Sequence, residues 1–267
     1  MAQVRIRSWI AMALFPAVLP MPVVGQESGP TGAADGALAL EVLIGRSIEA
    51  YGGEEVLVGA SRMIQEGTVT STMRQGAAGR IVRLYERPIR LRVEIEYPGN
   101  ESEVRILDGR RGWRNGGPVS GPMYQAMLLQ AARLGLPAIL IDFQASLQDL
   151  GEVDRDGQRL RAIGLDFHQG LRVTAEIDPV SGQILRSEGT ISGQEGRPTL
   201  TFATEYADFR EVDGVLVPFH EVNYAQGRRT GETRLDSVEL LQEIPVGSFH
   251  PPVDSGSDPP ESQRTRT

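Results

Sequence analysis

Between Ile89 and Tyr97 the chain alternates cleanly. Ile89, Leu91, Val93, Ile95 and Tyr97 share one parity, and Arg90, Arg92, Glu94 and Glu96 share the other. A period of two predicts a β-strand with one dry and one wet face. Upstream, "RMIQEGTVTSTMR" and "GRIVRLYE" have strand composition and are joined by "QGAAG", a Gly-containing loop of hairpin length. Downstream, residues 101 to 107 read as another strand. Asp108-Gly109 then reads as a tight turn between apolar runs, because such turns favour residues that tolerate positive φ. Trp113 begins the return strand. The same turn chemistry makes Asp108 a turn residue rather than a working carboxylate.

Two regions break this rhythm. In "ALALEVLIGRSIEAYGG" the residues Leu40, Leu43, Ile44, Ser47, Ile48 and Tyr51 recur at helical spacing, all apolar but Ser47, and Gly52-Gly53 stops the helix. A short helical turn follows at Glu54 to Gly59. In the middle, Met123, Met127, Leu128, Ala131 and Leu134 mark one face of a second helix. Pro137 ends or kinks it, and "AILIDF" starts a shorter one. After Leu150 strands resume: "RLRAIGLDF", "LRVTAEID", "QILRSEGTIS", "TLTFATEYADF", "VLVPFHEVNY" and "ETRLDSVELL", separated by turn material. The chain thus predicts an α+β fold, with about ten or eleven short antiparallel strands and few helices. A sheet with one apolar face must be covered. The central helical insert is too short to be a separate domain.

The ends read differently. Arg5 and Arg7 precede "WIAMALFPAVLPMPVVG", an apolar run closing on small residues, which predicts a secretory signal over 1–25 cleaved after Gly25. A membrane anchor is the rival reading. Pro16, Pro20 and Pro22 interrupt the run, which is short against the roughly 20 residues a spanning helix needs. Residues 26–36 read as a flexible lead-in, 37–249 as a single domain and 250–267 as a disordered polar tail.

Composition then narrows the chemistry. The chain has no Cys, which removes disulfides, thiolate metal sites, a Cys nucleophile and a lipid-anchoring Cys. It has no Lys either. Net charge is −8, and removal of residues 1–25, which carry two Arg and no acid, takes it to −10. Such a body has no electrostatic footprint for nucleic acid or anionic headgroups. His168, His220 and His250 form no metal-spaced pair. There is no Gly-x-Ser-x-Gly elbow, no phosphate-cradling Gly-Lys loop and no Gly-x-Gly-x-x-Gly opening a helix. Most carboxylates alternate with Arg on wet strand faces. No catalytic constellation, metal or cofactor is therefore expected, and the chain reads as a non-enzyme.

Taken in order, the helix ending "EAYGG", "GTVTSTMRQGAAGRIVRLYERPIRLRVEI", "RILDGRRGW", the helical segment after Pro122, "IDPVSGQILR" and "YADFREVDGVLVPFH" resemble the outer-membrane lipoprotein carrier, or LolA/LolB-like, family. The likeness covers most of residues 38–249. It implies a strongly curved, incomplete antiparallel barrel whose concave side is closed by helices, holding acyl chains in the periplasm without cofactor. The family places an Arg near the lid; Arg83, Arg90, Arg92 and Arg105 are all candidates here. The missing Cys excludes the lipid-anchored receptor type, and the "EAYGG" opening and polar tail differ from the dedicated carrier.

Under this resemblance Leu91, Val93, Ile95, Trp113, Met123, Met127, Leu128, Phe143, Leu165, Phe167 and Phe202 are the candidate cavity residues. Met is adaptable enough to suit a lid over chains of variable shape. Acyl burial would gain about 0.8 kcal/mol per methylene. The expected protein is a periplasmic, monomeric carrier of lipid or lipidated protein, with an envelope membrane protein as a possible partner. The alternative is an interaction or stress-sensing module of the same fold. An outer-membrane β-barrel fits less well, since aromatic girdles are sparse.

Overall fold

The computed structural model of the protein describes residues 31–99, 101–191 and 199–251. The leader and residues 252–267 of the tail lie outside the described residues. The first helix, α1 (Thr31–Ala50), begins inside the segment expected as a lead-in.

One antiparallel sheet dominates. β1 (Arg62–Ser71), β2 (Ala78–Glu86), β3 (Arg90–Tyr97), β4 (Glu101–Asp108), β5 (Gly112–Arg114) and β6 (Gly117–Val119) form a meander. Helices α3 (Gly121–Gly135) and α4 (Ala138–Asp142) follow. The chain then returns through β7 (Gln148–Arg155), β8 (Gln158–Asp166), β9 (Arg172–Ile177), β10 (Ile184–Ile191), β11 (Leu200–Val212), β12 (Val215–Ala225) and β13 (Arg228–Leu240). The order across the 13-stranded sheet is β6-β5-β4-β3-β2-β1-β13-β12-β11-β10-β9-β8-β7. Among the described residues only β1 and β13 pair out of sequence, which joins the two meanders at the middle. The edges, β6 and β7, do not pair with each other, so the sheet is open. α3 and α4 link these edges.

The strands beyond the sequence expectation are β6 and β7. β6 is Gly-Pro-Val, and β7 is polar with Gly151 inside a register shift. Neither carries an apolar period, because an edge strand has a partner on one side only. A turn forms here, but a wider one than the tight Asp-Gly turn expected: Asp108 is the last residue of β4, and Leu107 pairs with Gly112, which leaves residues 108–111 between the paired positions. Asp108 Oδ1 accepts the backbone N–H of Arg110 and of Arg111, both at 2.7 Å, and Gly109 takes φ 101°. The Oδ1 of Asp108 is thus committed to its own turn.

The dry face of β3 continues across its neighbours, since residues directly opposite share a face. Tyr85, Leu91 and Leu107 form one row, and Ile81, Ile95 and Glu103 another. α3 lies against this concave face and packs on β3, β4 and β10. Its seat on β10 is close: a Cβ on Gly189 would stand 2.4 Å from Leu129 Cδ1. α1 and α2 (Glu54–Gly59) close one end. Here the "EAYGG" stretch acts as a clamp. The Tyr51 hydroxyl accepts the Ile184 N–H at 3.1 Å, its ring meets Phe209 edge-on, and Gly52 at φ 111° approaches Gly214 too closely for any side chain. Among the described residues no helix is long and apolar enough to cross a membrane.

Candidate functional site

The space between the concave sheet and α3 is the candidate site. Most of it is filled. Leu91, Val93, Ile95, Met127, Leu128, Leu165 and Phe167 are buried in one apolar core, and Met123, Phe143 and Phe202 pack against that core. Of the residues expected to line a cavity, Ile95 and Phe202 border open space under α3. Phe143 and Phe167 instead stack with His168 into an aromatic cluster beside α4, with ring centroids 4.7–5.4 Å apart. Trp113 lies elsewhere. It pairs with Ile106, which pairs with Arg92, so it stands on the convex face, while its neighbour Gly112 takes the concave position opposite Leu107.

Among the described residues two cavities open into this space, and they share part of their lining. The wider, about 290 Å³, is lined by Ile81, Ile95, Arg105, Gln130, Thr204 and Asn223 among others. The narrower, about 50 Å³, is an apolar slot bordered by Leu57, Met63, Leu136, Val215, Val217 and Leu240. Ligand pockets run roughly 300–1,000 Å³, so the wider chamber approaches that size and the slot does not. Arg133, Leu134, Tyr206 and Glu221 line both.

The polar groups at this junction come from strands far apart in sequence. Arg83 on β2 grips Glu221 on β12 through two hydrogen bonds, Nη1 to Oε2 at 2.8 Å and Nη2 to Oε1 at 2.9 Å, and both side chains are buried. Gln65 and Thr233 are buried on the two strands between them. The Tyr206 hydroxyl lies 2.7 Å from Ser187 Oγ, and burial pushes its pKa up to about 12. It is a neutral hydroxyl at any working pH. Near the rim, Arg105 Nε donates to Glu103 Oε1 at 2.7 Å and its Nη1 to Gln130 Oε1 on α3 at 3.4 Å. Burial alone would raise the Glu103 carboxyl, but Arg105 and Arg114 together hold it below the usual range.

Of the arginines the sequence left open, Arg83 and Arg105 thus face inward, and Arg105 reaches the helix that covers the face. Arg90 and Arg92 point outward, to Glu86 and Glu94. The sequence reading did not single out Glu221, Tyr206 or Arg133. A signal for Glu221 was present: it shares parity with Val215, Val217 and Phe219. For Arg133 the signal was its position as the one cation of α3.

No protein-family profile matches the chain, and no curated protein matches it. Solved structures do. A LolA superfamily protein from Nitrosomonas europaea superposes with a TM-score of 0.53 at 14% identity, covering 76% of this chain and 95% of that one. An outer membrane lipoprotein-sorting protein domain from Vibrio parahaemolyticus gives 0.46 at 12% identity, covering 82% and 97%. A DUF1329 family protein from Desulfovibrio piger gives 0.43 at 8%, covering 79% and 97%. At these identities fold alone is compared, and the first match carries it. A 13-stranded open sheet with helices on its concave side is the LolA-like half-barrel expected from the sequence.

Proposed function

We propose that this protein is a periplasmic, non-enzymatic carrier that holds acyl chains of a lipid or lipidated protein between its sheet and α3. The observation that carries the reading is the junction of an apolar slot, bordered by α2, α3 and α4, with a polar chamber beneath α3. An open sheet supports it as well. A sheet spanning lipid must close its edges, whereas here β6 and β7 stay apart. The expected secretory leader supports the compartment, and the fold shared with a LolA superfamily protein supports the cargo class by analogy.

The slot is narrow, so taking up a chain requires α3 and α4 to move outward. That cost favours a second reading in one respect. A concave face largely filled by its own side chains also suits an interaction module that binds a partner protein without cargo.

The experiment is purification from the periplasm without detergent, then mass measurement under native and denaturing conditions. The carrier reading expects a bound mass, in the range of fatty acids or phospholipids, that is lost on denaturation. A folded protein with no bound mass and no uptake of added lipid would replace it with the interaction module.

A further inference from the structure

The unusual group inside this protein is Arg133. It is the one cation of α3 and lines the chamber beneath that helix. Its Nε and Nη2 are buried and donate to no acceptor. The neighbouring charges are already committed. Both Glu221 oxygens are held by Arg83. The Tyr206 hydroxyl is engaged with Ser187. Glu188 and Glu205 bind Arg186. Burial lowers the Arg133 pKa, with Tyr206, Glu221 and Glu188 opposing it and Arg186 adding to it. Arginine nevertheless stays protonated in proteins. Arg133 as a whole is half-buried, with its Nε and Nη2 shut away from water; donors desolvated without an acceptor carry a cost that an apolar residue at this position would avoid.

The cation also stands where it would meet a ligand. Arg133 borders both the apolar slot and the polar chamber. The charged residues lining the chamber are Arg83, Arg105, Arg133 and Glu221, an excess of positive charge. Arg83 and Glu221 cancel, and Arg105 is matched by Glu103. One guanidinium is left over. Its planar fork fits a carboxylate or a phosphate.

We propose that the interior selects a single-chain amphiphile with an anionic head, carboxylate or phosphate. The head pairs with Arg133 in the chamber, and the tail lies in the slot between Met63, Leu136 and Val217. This rests on the carrier reading and names its cargo more closely. Neutral lipids of the same chain length bind more weakly, because they leave the guanidinium unpaired. Arg133 is then a specificity residue carried by the covering helix, so an anionic head and the closed position of α3 stabilise each other.

The test compares 11-(dansylamino)undecanoic acid with its methyl ester on the full mature chain, by dansyl fluorescence. Wild type is expected to bind the acid at least tenfold more tightly than the ester. Arg133→Gln should bring the acid down to the level of the ester and leave the ester unchanged, while Arg133→Lys should keep part of the preference. Equal binding of acid and ester by wild type overturns the inference while leaving the carrier reading in place. That ratio needs no variant to fold. A preference that survives in Arg133→Gln also overturns it. Failure of both probes to bind removes the carrier reading itself. Dodecyl phosphate should displace the acid, and inorganic phosphate at the same concentration should not. Displacement by inorganic phosphate alone would show a free-anion site in place of an amphiphile site.

Discussion

Arg83 and Glu221 lie 138 positions apart in the chain and face each other in a bidentate pair across the two central strands of the sheet. Their strands, β2 and β12, belong to different meanders, and β1 and β13 run between them. The pair therefore reports on the one place where the halves of the fold are joined out of sequence.

Removing one partner leaves the other charged and buried. Arg83→Met and Glu221→Leu should each cost about 3–5 kcal/mol, and the double variant far less than their sum. Urea unfolding of the four proteins gives the coupling directly. Additive losses would mean that water reaches the pair and that it does not tie the meanders together.

Much of the fold was legible because it is local. The alternation of β3, the helical spacing of α3 and the Asp108-Gly109 turn each depend on neighbours within a few residues. The edge strands were hidden, since β6 and β7 have no second strand to demand an apolar parity. The site was legible least of all. Arg83 and Glu221 are ordinary charges in sequence, and only the closing of β1 on β13 brings them together. Trp113 shows the same limit from the other side. The sequence fixes its strand but not its face, because residues 108 to 111 form a turn, and a shift of one residue exchanges the two faces.

Asp108 tests the turn. Asp108→Ala loses the acceptor for two backbone N–H groups and should cost about 1 kcal/mol. Lipid uptake should not change. A large loss of uptake with normal stability would restore a working role to this carboxylate.

Gly189 sets the seat of α3. Gly189→Val drives a side chain into Leu129, and overpacking of this kind costs about 1–3 kcal/mol. Amide exchange over residues 121–135 should accelerate, while β1 and β13 stay protected. Adding Leu129→Ala should restore much of the protection. Uniform acceleration across the sheet would show that α3 is not a separately opening element.

His168 gives a pH dependence of definite sign. Burial among Phe143 and Phe167 lowers its pKa below the ordinary value. The unfolded chain then binds more protons than the folded one between the lowered value and about 6.5. Stability at this site is complete above that ordinary value and is lost as pH falls through the window. Melting temperature should drop on going from pH 7.5 to 5.5, and His168→Gln should flatten the drop. The carboxylates held low by arginines, Glu86, Glu103 and Asp149, act in more acid solution, because their stabilisation is lost only as pH falls below the carboxylate range.

The convex face has an anchor of its own, which separates stability from binding. After β13 the chain folds back over β1 to β4. Arg62 Nη1 donates to the Gln242 carbonyl at 3.1 Å, Arg92 Nη1 donates to the Ser248 carbonyl at 3.2 Å, and Phe249 is buried beside Arg90. The face beneath carries apolar residues, Leu84 and the buried Ile106, opposite the side that faces α3. Phe249→Ala should cost about 3 kcal/mol by the usual toll of removing a buried ring. It should leave the acid-over-ester preference untouched, because the segment lies on the far side of the sheet from Arg133. If it instead weakened the preference as much as Arg133→Gln does, the two faces would be coupled through the sheet, and the strap would belong to the binding apparatus.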